Sequence, residues 1–188
     1  MRKLLFAFGL TSALVFALAA HAAAPNFAGT WTLDKSKSQG LSQRIQNAES
    51  VSWMITQTDK QITVEEKIQG GGGPGGAPGA GGPPGGGGGQ GGRGGMMGAP
   101  GPRIYNLDGS ETTGDAGRGK FVRKATLSSD GKTLELVNKN TFTGQDGNEI
   151  TVTSTDKLSL SGDGKVLTVA RHSESPRGPQ DSTLVFNK

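Results

Sequence analysis

Arg123, Asn138, Ser154, Asp156 and Arg171 are polar residues in places where the sequence otherwise keeps apolar ones. Each lies in a run that alternates with period two, on the parity that carries residues such as Phe121, Ala125, Leu136, Leu158 and Val169. In a strand successive side chains point to opposite faces, so this parity marks the inner face. Hairpin register tests whether the five meet. If the Asp130-Gly131 turn pairs Leu127 with Leu134, Arg123 faces Asn138. If Phe142 pairs with Ile150, Asn138 faces Ser154. If Leu160 pairs with Leu167, Asp156 faces Arg171. Cross-strand partners lie about 5 Å apart, so three hairpins place these residues in one neighbourhood.

The chemistry this predicts is anion binding. Two inward arginines against one inward aspartate leave one guanidinium without a carboxylate. A buried ion pair contributes little net stability, because desolvation offsets its attraction. The excess charge suits an anionic group, such as the carboxylate of an amphipathic molecule, with apolar walls around its tail. Trp31 and Trp53 share the inner face and complete the set of candidate ligand contacts. The same residues would also serve as a self-satisfied polar plug, or as a wet end of the fold.

Other chemistries find less support. There is no cysteine, which excludes disulfides, zinc–thiolate sites and cysteine nucleophiles. Beyond the N-terminal segment the one histidine is His172, on the outward parity, and it has neither a triad arrangement nor a second histidine for a metal. "GDAGRGK" (Gly114–Lys120) has phosphate-loop spacing, but Phe121 stands where a Ser or Thr is needed and the next residues alternate as a strand. "DGNE" (Asp146–Glu149) lacks calcium-loop spacing. The expectation is no enzyme activity, no cofactor and no metal.

These residues must be positioned by strands. Alternation predicts strands at Thr30–Asp34, Val51–Thr58, Gln61–Ile68, Arg103–Leu107, Lys120–Ser128, Lys132–Phe142, Glu149–Leu160, Val166–Ser173 and Ser182–Asn187. Asp-Gly pairs, a hairpin-turn signal, fall at Asp108, Asp130, Asp146 and Asp163. "LSSDGKTLEL" (Leu127–Leu136) repeats as "LSGDGKVLTV" (Leu160–Val169), two turns of one design. Only Ser38–Ala48 has a helical pattern. Eight or nine consecutive antiparallel strands close most naturally into a single up-and-down β-barrel, which removes exposed edges; an open sandwich is the alternative.

"NFAGTWTLDKSKS", "YNLDGSETT" and "LSGDGKVLTVARHSESPRGPQDSTLVFNK" resemble a group of small secreted bacterial lipocalin-like (calycin-like) barrels of unassigned function. Gly29-x-Trp31 looks like the lipocalin first-strand signature. That resemblance implies that Trp31 closes the barrel floor, with Arg171 packed over it.

Residues 1–23 read as a signal peptide: a basic tip, an apolar run from Leu4 to Ala20 and small residues before Pro25. No cysteine follows it to carry a lipid. The expected location is periplasmic or secreted, with no stable membrane anchor. The formal charge of +4 falls to about +2 without Arg2 and Lys3, so the high pI is no argument for nucleic acid. Within the barrel domain, 24–188, a Gly/Pro-rich tract spans 69–102, with little to bury and no three-residue period. It reads as a disordered hairpin-loop insertion. Extending a loop from ~4 to ~33 residues costs about 2 kcal/mol, which a barrel tolerates. The expected partner is a small amphipathic ligand. The alternative is a periplasmic protein, contacted through the loops and the tract in an interaction or inhibitor role.

Overall fold

The computed structural model describes residues 25–70, 101–116, 119–144 and 146–188. The predicted signal segment and nearly all of the predicted Gly/Pro-rich insertion lie outside the described residues. Ten strands form one sheet: β1 (Gly29–Leu33), β2 (Ala48–Gln57), β3 (Gln61–Gly70), β4 (Arg103–Asn106), β5 (Thr112–Ala116), β6 (Gly119–Leu127), β7 (Thr133–Thr143), β8 (Glu149–Leu160), β9 (Val166–Ser175) and β10 (Gly178–Asn187). Their order is β4-β3-β2-β1-β10-β9-β8-β7-β6-β5, and neighbours pair antiparallel. The chain therefore meanders, and the two end strands come round together: β4 lies alongside β6 and β5. No ladder joins β4 to β5, so the barrel is nearly closed, with one seam.

The tenth strand is β5, where the sequence predicts a connection. "TTGDA" has no apolar alternation to announce it. Gly114 holds the inward position opposite Phe121, and a Cβ there would come within 2.7 Å of the Phe121 ring. The ring of β6 covers β5 and supplies the apolar surface that β5 lacks. "GDAGRGK" is thus part of a β-hairpin, with Ala116 paired to Gly119. The helix is shorter than its pattern, α1 (Gln43–Asn47), and begins beyond Gly40, whose φ of +66° is left-handed.

The duplicated turns are built alike. In each, a serine hydroxyl donates to the aspartate two residues on, at 2.5 Å for Ser128–Asp130 and 2.6 Å for Ser161–Asp163. The same hydroxyl accepts the backbone N–H of the first residue of the next strand, Thr133 or Val166. Gly131 and Gly164 both take a φ of +68°, open to glycine at little cost. With the turns pinned, the registers follow. Leu127 pairs with Leu134, Phe142 with Ile150 and Leu160 with Leu167, as the sequence predicts.

These turns and the β2–β3 connection mark one end of the barrel, the turn end. Above it Ile55, Ile62, Val64, Leu134, Leu136, Leu158, Leu167, Val169, Leu184 and Phe186 fill the interior as a packed apolar core. The opposite, far end is where the described chain leaves at Gly70 and returns at Gly101. Inward residues there, including Phe121, Phe142, Ile150 and Val152, are only half-buried.

Candidate functional site

Between the apolar core and the far end lies a charged layer. Arg123 pairs with Asn138, Asn138 with Ser154 and Asp156 with Arg171, the three contacts predicted from register. Asp156 is 2% exposed and accepts two hydrogen bonds from Arg171, from Nε to Oδ1 at 2.6 Å and from Nη2 to Oδ2 at 3.0 Å. This fork geometry matches a planar guanidinium to a carboxylate. Burial opposes the Arg171 charge, but Asp156 outweighs it and lifts the Arg171 pKa above its ordinary value. With both oxygens so engaged, Asp156 is not free to act as a base. Arg123 donates from Nε to the Asn138 Oδ1 at 3.1 Å, and its guanidinium lies 3.9 Å from the centre of the Phe121 ring.

Two further charges belong to this layer. Arg103, the first residue of β4, is buried and points inward, with Nη1 3.9 Å from Asp156 Oδ2. Glu66 on β3 accepts the Trp53 indole N–H at 2.9 Å. Trp53 is the common platform: the guanidinium carbons of Arg103 and Arg171 stand 5.4 Å and 5.5 Å from its ring centre. Phe186 lies against it from the core, at 5.0 Å between centroids. Tyr105 is buried beside them, and desolvation is the main cause that raises its pKa, which keeps the phenol neutral. Burial also lowers the Arg123 pKa, and the neighbouring Arg103 lowers it further.

Parity alone would have shown Glu66, which follows Ile62 and Val64 on the inner face. Arg103 precedes Tyr105 on the inner parity of β4, but its register against β3 spans the long insertion and has no short turn to fix it. The five predicted polar residues and Trp53 all come together in or beside the layer, Ser154 as a half-buried neighbour of Asn138.

Trp31 does not. It is fully buried, and its indole N–H donates to the Phe27 carbonyl at 2.8 Å. The expected cover of Trp31 by Arg171 is corrected: Arg171 lies on Trp53, while the Lys188 ammonium stands 5.1 Å from the Trp31 ring centre. Register explains the exchange. On β10 Arg171 pairs with Ser182, whereas Thr32 pairs with Asn187, which places Lys188 beside Trp31. The two cations enter six register positions apart along β10 and cover the two directly paired tryptophans, Trp53 and Trp31.

Gly29 makes that contact feasible, because a Cβ there would come within 2.6 Å of the Lys188 side chain. His172 points outward as predicted, with Nδ1 2.7 Å from Oδ1 of the exposed Asp181. Among the described residues no group of three His, Asp or Glu is placed to hold a metal, and no helix is long and apolar enough to cross a membrane.

Comparison with known proteins found no matching family model and no matching curated protein. Among solved structures the chain is similar to zebrafish ileal bile acid-binding protein complexed with cholic acid. The match has a TM-score of 0.44 and 11% identity, and covers 86% of this chain and 98% of that one.

Proposed function

We propose that the protein is a periplasmic or secreted barrel that binds a small apolar or amphipathic anion in its interior and catalyses no reaction. One observation carries this reading. In the charged layer three guanidinium groups, of Arg103, Arg123 and Arg171, face two carboxylates, of Asp156 and Glu66. One positive charge is in excess where desolvation makes an unpaired ion costly. An anion entering the layer offsets that cost, and the half-buried Phe121, Phe142, Ile150 and Val152 offer its apolar part a wall.

Native mass spectrometry of protein purified from its own source, followed by denaturation, tests this. The expected result is an adduct that unfolding releases as an anionic amphipath. A bare protein mass, with no uptake from a panel of fatty acids and lipids, would overturn the reading.

A further inference from the structure

Two buried side-chain polar atoms find no hydrogen-bond partner among the described residues: Arg103 Nε and Thr112 Oγ1. Buried polar groups are almost always paired, so each such atom needs a reason. Arg103 is 8% exposed, with its donor held inside the barrel rather than at its surface. The two atoms belong to the strands that flank the seam. Arg103 opens β4, Thr112 opens β5, and no backbone ladder joins them. Arg123 links them in space: it is the direct cross-strand partner of Thr112, and it lies close enough to Arg103 for the like charge to lower its pKa.

Resting on the interior-binding reading above, we infer that the seam between β4 and β5 is the head-group subsite, and that its ligand is a monoanionic carboxylate. One carboxylate oxygen accepts from Arg103 Nε and the other from the Thr112 hydroxyl, with the Arg123 charge behind. The pairing follows from what each atom lacks. Nε can only donate, and a hydroxyl can donate, so the two oxygens of a carboxylate would satisfy both. The single excess charge selects a monoanion. An alcohol would leave the guanidinium without a counter-charge, and a dianion would leave a negative charge unpaired. Arg171 is not the receiving group, because Asp156 already occupies its fork.

The test uses the full chain, stripped of bound lipid, with decanoate and decanol as probes. Calorimetry gives the affinities, and nitrogen–proton NMR follows the arginine Nε–H signals. Hydrogen bonds to charged groups predict that decanoate binds about 10-fold or more tighter than decanol, and that the Arg103 Nε–H signal shifts and becomes protected. Arg103→Met and the near-isosteric Thr112→Val should each weaken decanoate about 10-fold while leaving decanol unchanged. Thr112→Val keeps the shape of the seam, and so answers the question even if Arg103→Met folds poorly.

Decanoate binding that neither substitution weakens would overturn the seam subsite and leave interior binding standing. A loss with Arg103→Met but none with Thr112→Val would overturn the two-point contact. A wild-type protein that takes up neither probe would overturn the interior reading and this inference with it.

Discussion

The two halves of the barrel interior follow different rules. Toward the turn end Leu134, Leu158, Leu167, Val169 and Phe186 are at most 2% exposed and carry no side-chain polar atom. One step further along the same inner faces, Arg103, Arg123, Asn138, Asp156 and Arg171 form a layer of charge and hydrogen bonds. Both halves are reached by the same alternation and the same hairpins. The difference is therefore one of composition at fixed geometry. The core half obtains its stability from apolar area removed from water. The charged half obtains little net stability from its ion pairs.

The largest expected effect comes from leaving the charged layer half-made. Asp156→Ala strands Arg171, and leaves Arg103 further unbalanced, in a buried site. It should cost about 3–5 kcal/mol in urea unfolding. The sharper comparison is the double variant Asp156→Leu/Arg171→Met, which replaces the pair with apolar side chains. It should recover most of that loss and end near wild type, or above it. A double variant as unstable as Asp156→Ala would break the contrast, because the pair would then be holding the fold together. On the core side Leu158→Ala, which empties a fully buried site two residues along β8, should cost about 2–5 kcal/mol, with no apolar replacement needed to explain it.

How much of this contrast was legible in the sequence depended on where a turn fixed the register. Asp130-Gly131 and Asp163-Gly164 each close a short hairpin, so Arg123 opposite Asn138 and Asp156 opposite Arg171 could be counted off from the turn. Arg103 could not be counted off, since some thirty residues separate β3 from β4 and no turn chemistry fixes their pairing. β5 left no pattern because its inward residue is Gly114 and the apolar surface above it is borrowed from Phe121. Trp31 showed the limit of a local motif. Gly-x-Trp marks the strand, but what covers the indole is set by the register between β1 and β10, the first and last strands of the chain, which no local cue fixes.

Gly29→Ala tests that last point with a smaller effect. Gly29 has a φ of +144°, a region close to glycine-only, and the new methyl would press on the Lys188 side chain. The expected cost is about 2 kcal/mol. Part of it is steric, so trimming Lys188 to Ala in the same chain should relieve some of the loss, whereas Lys188→Ala alone should cost about 0.5–1 kcal/mol through its contact with Trp31. An equal loss from Gly29→Ala in both backgrounds would place the whole effect in the backbone.

The smallest expected effect lies at the rim of the turn end. The Asp130 and Asp163 carboxyls are held below their ordinary value of 3.8, first by the Ser128 and Ser161 hydroxyls and then by the backbone N–H groups of Lys132 and Lys165. A carboxyl with a depressed pKa in the folded state contributes stability that is complete above the unfolded value, and it is lost as the pH falls through the folded one. Asp130→Asn/Asp163→Asn keeps an accepting oxygen in each turn but no charge. Its urea midpoint should fall below that of the wild type at about pH 6, and the two should converge as the pH falls below the ordinary carboxyl value of 3.8 and through the lowered folded one. Convergence would assign part of the acid sensitivity of the fold to these solvated turns rather than to the charged layer. A difference that stays constant across the range would mean that geometry, not ionisation, is what the aspartates supply, and that the duplicated turn is a device of shape alone.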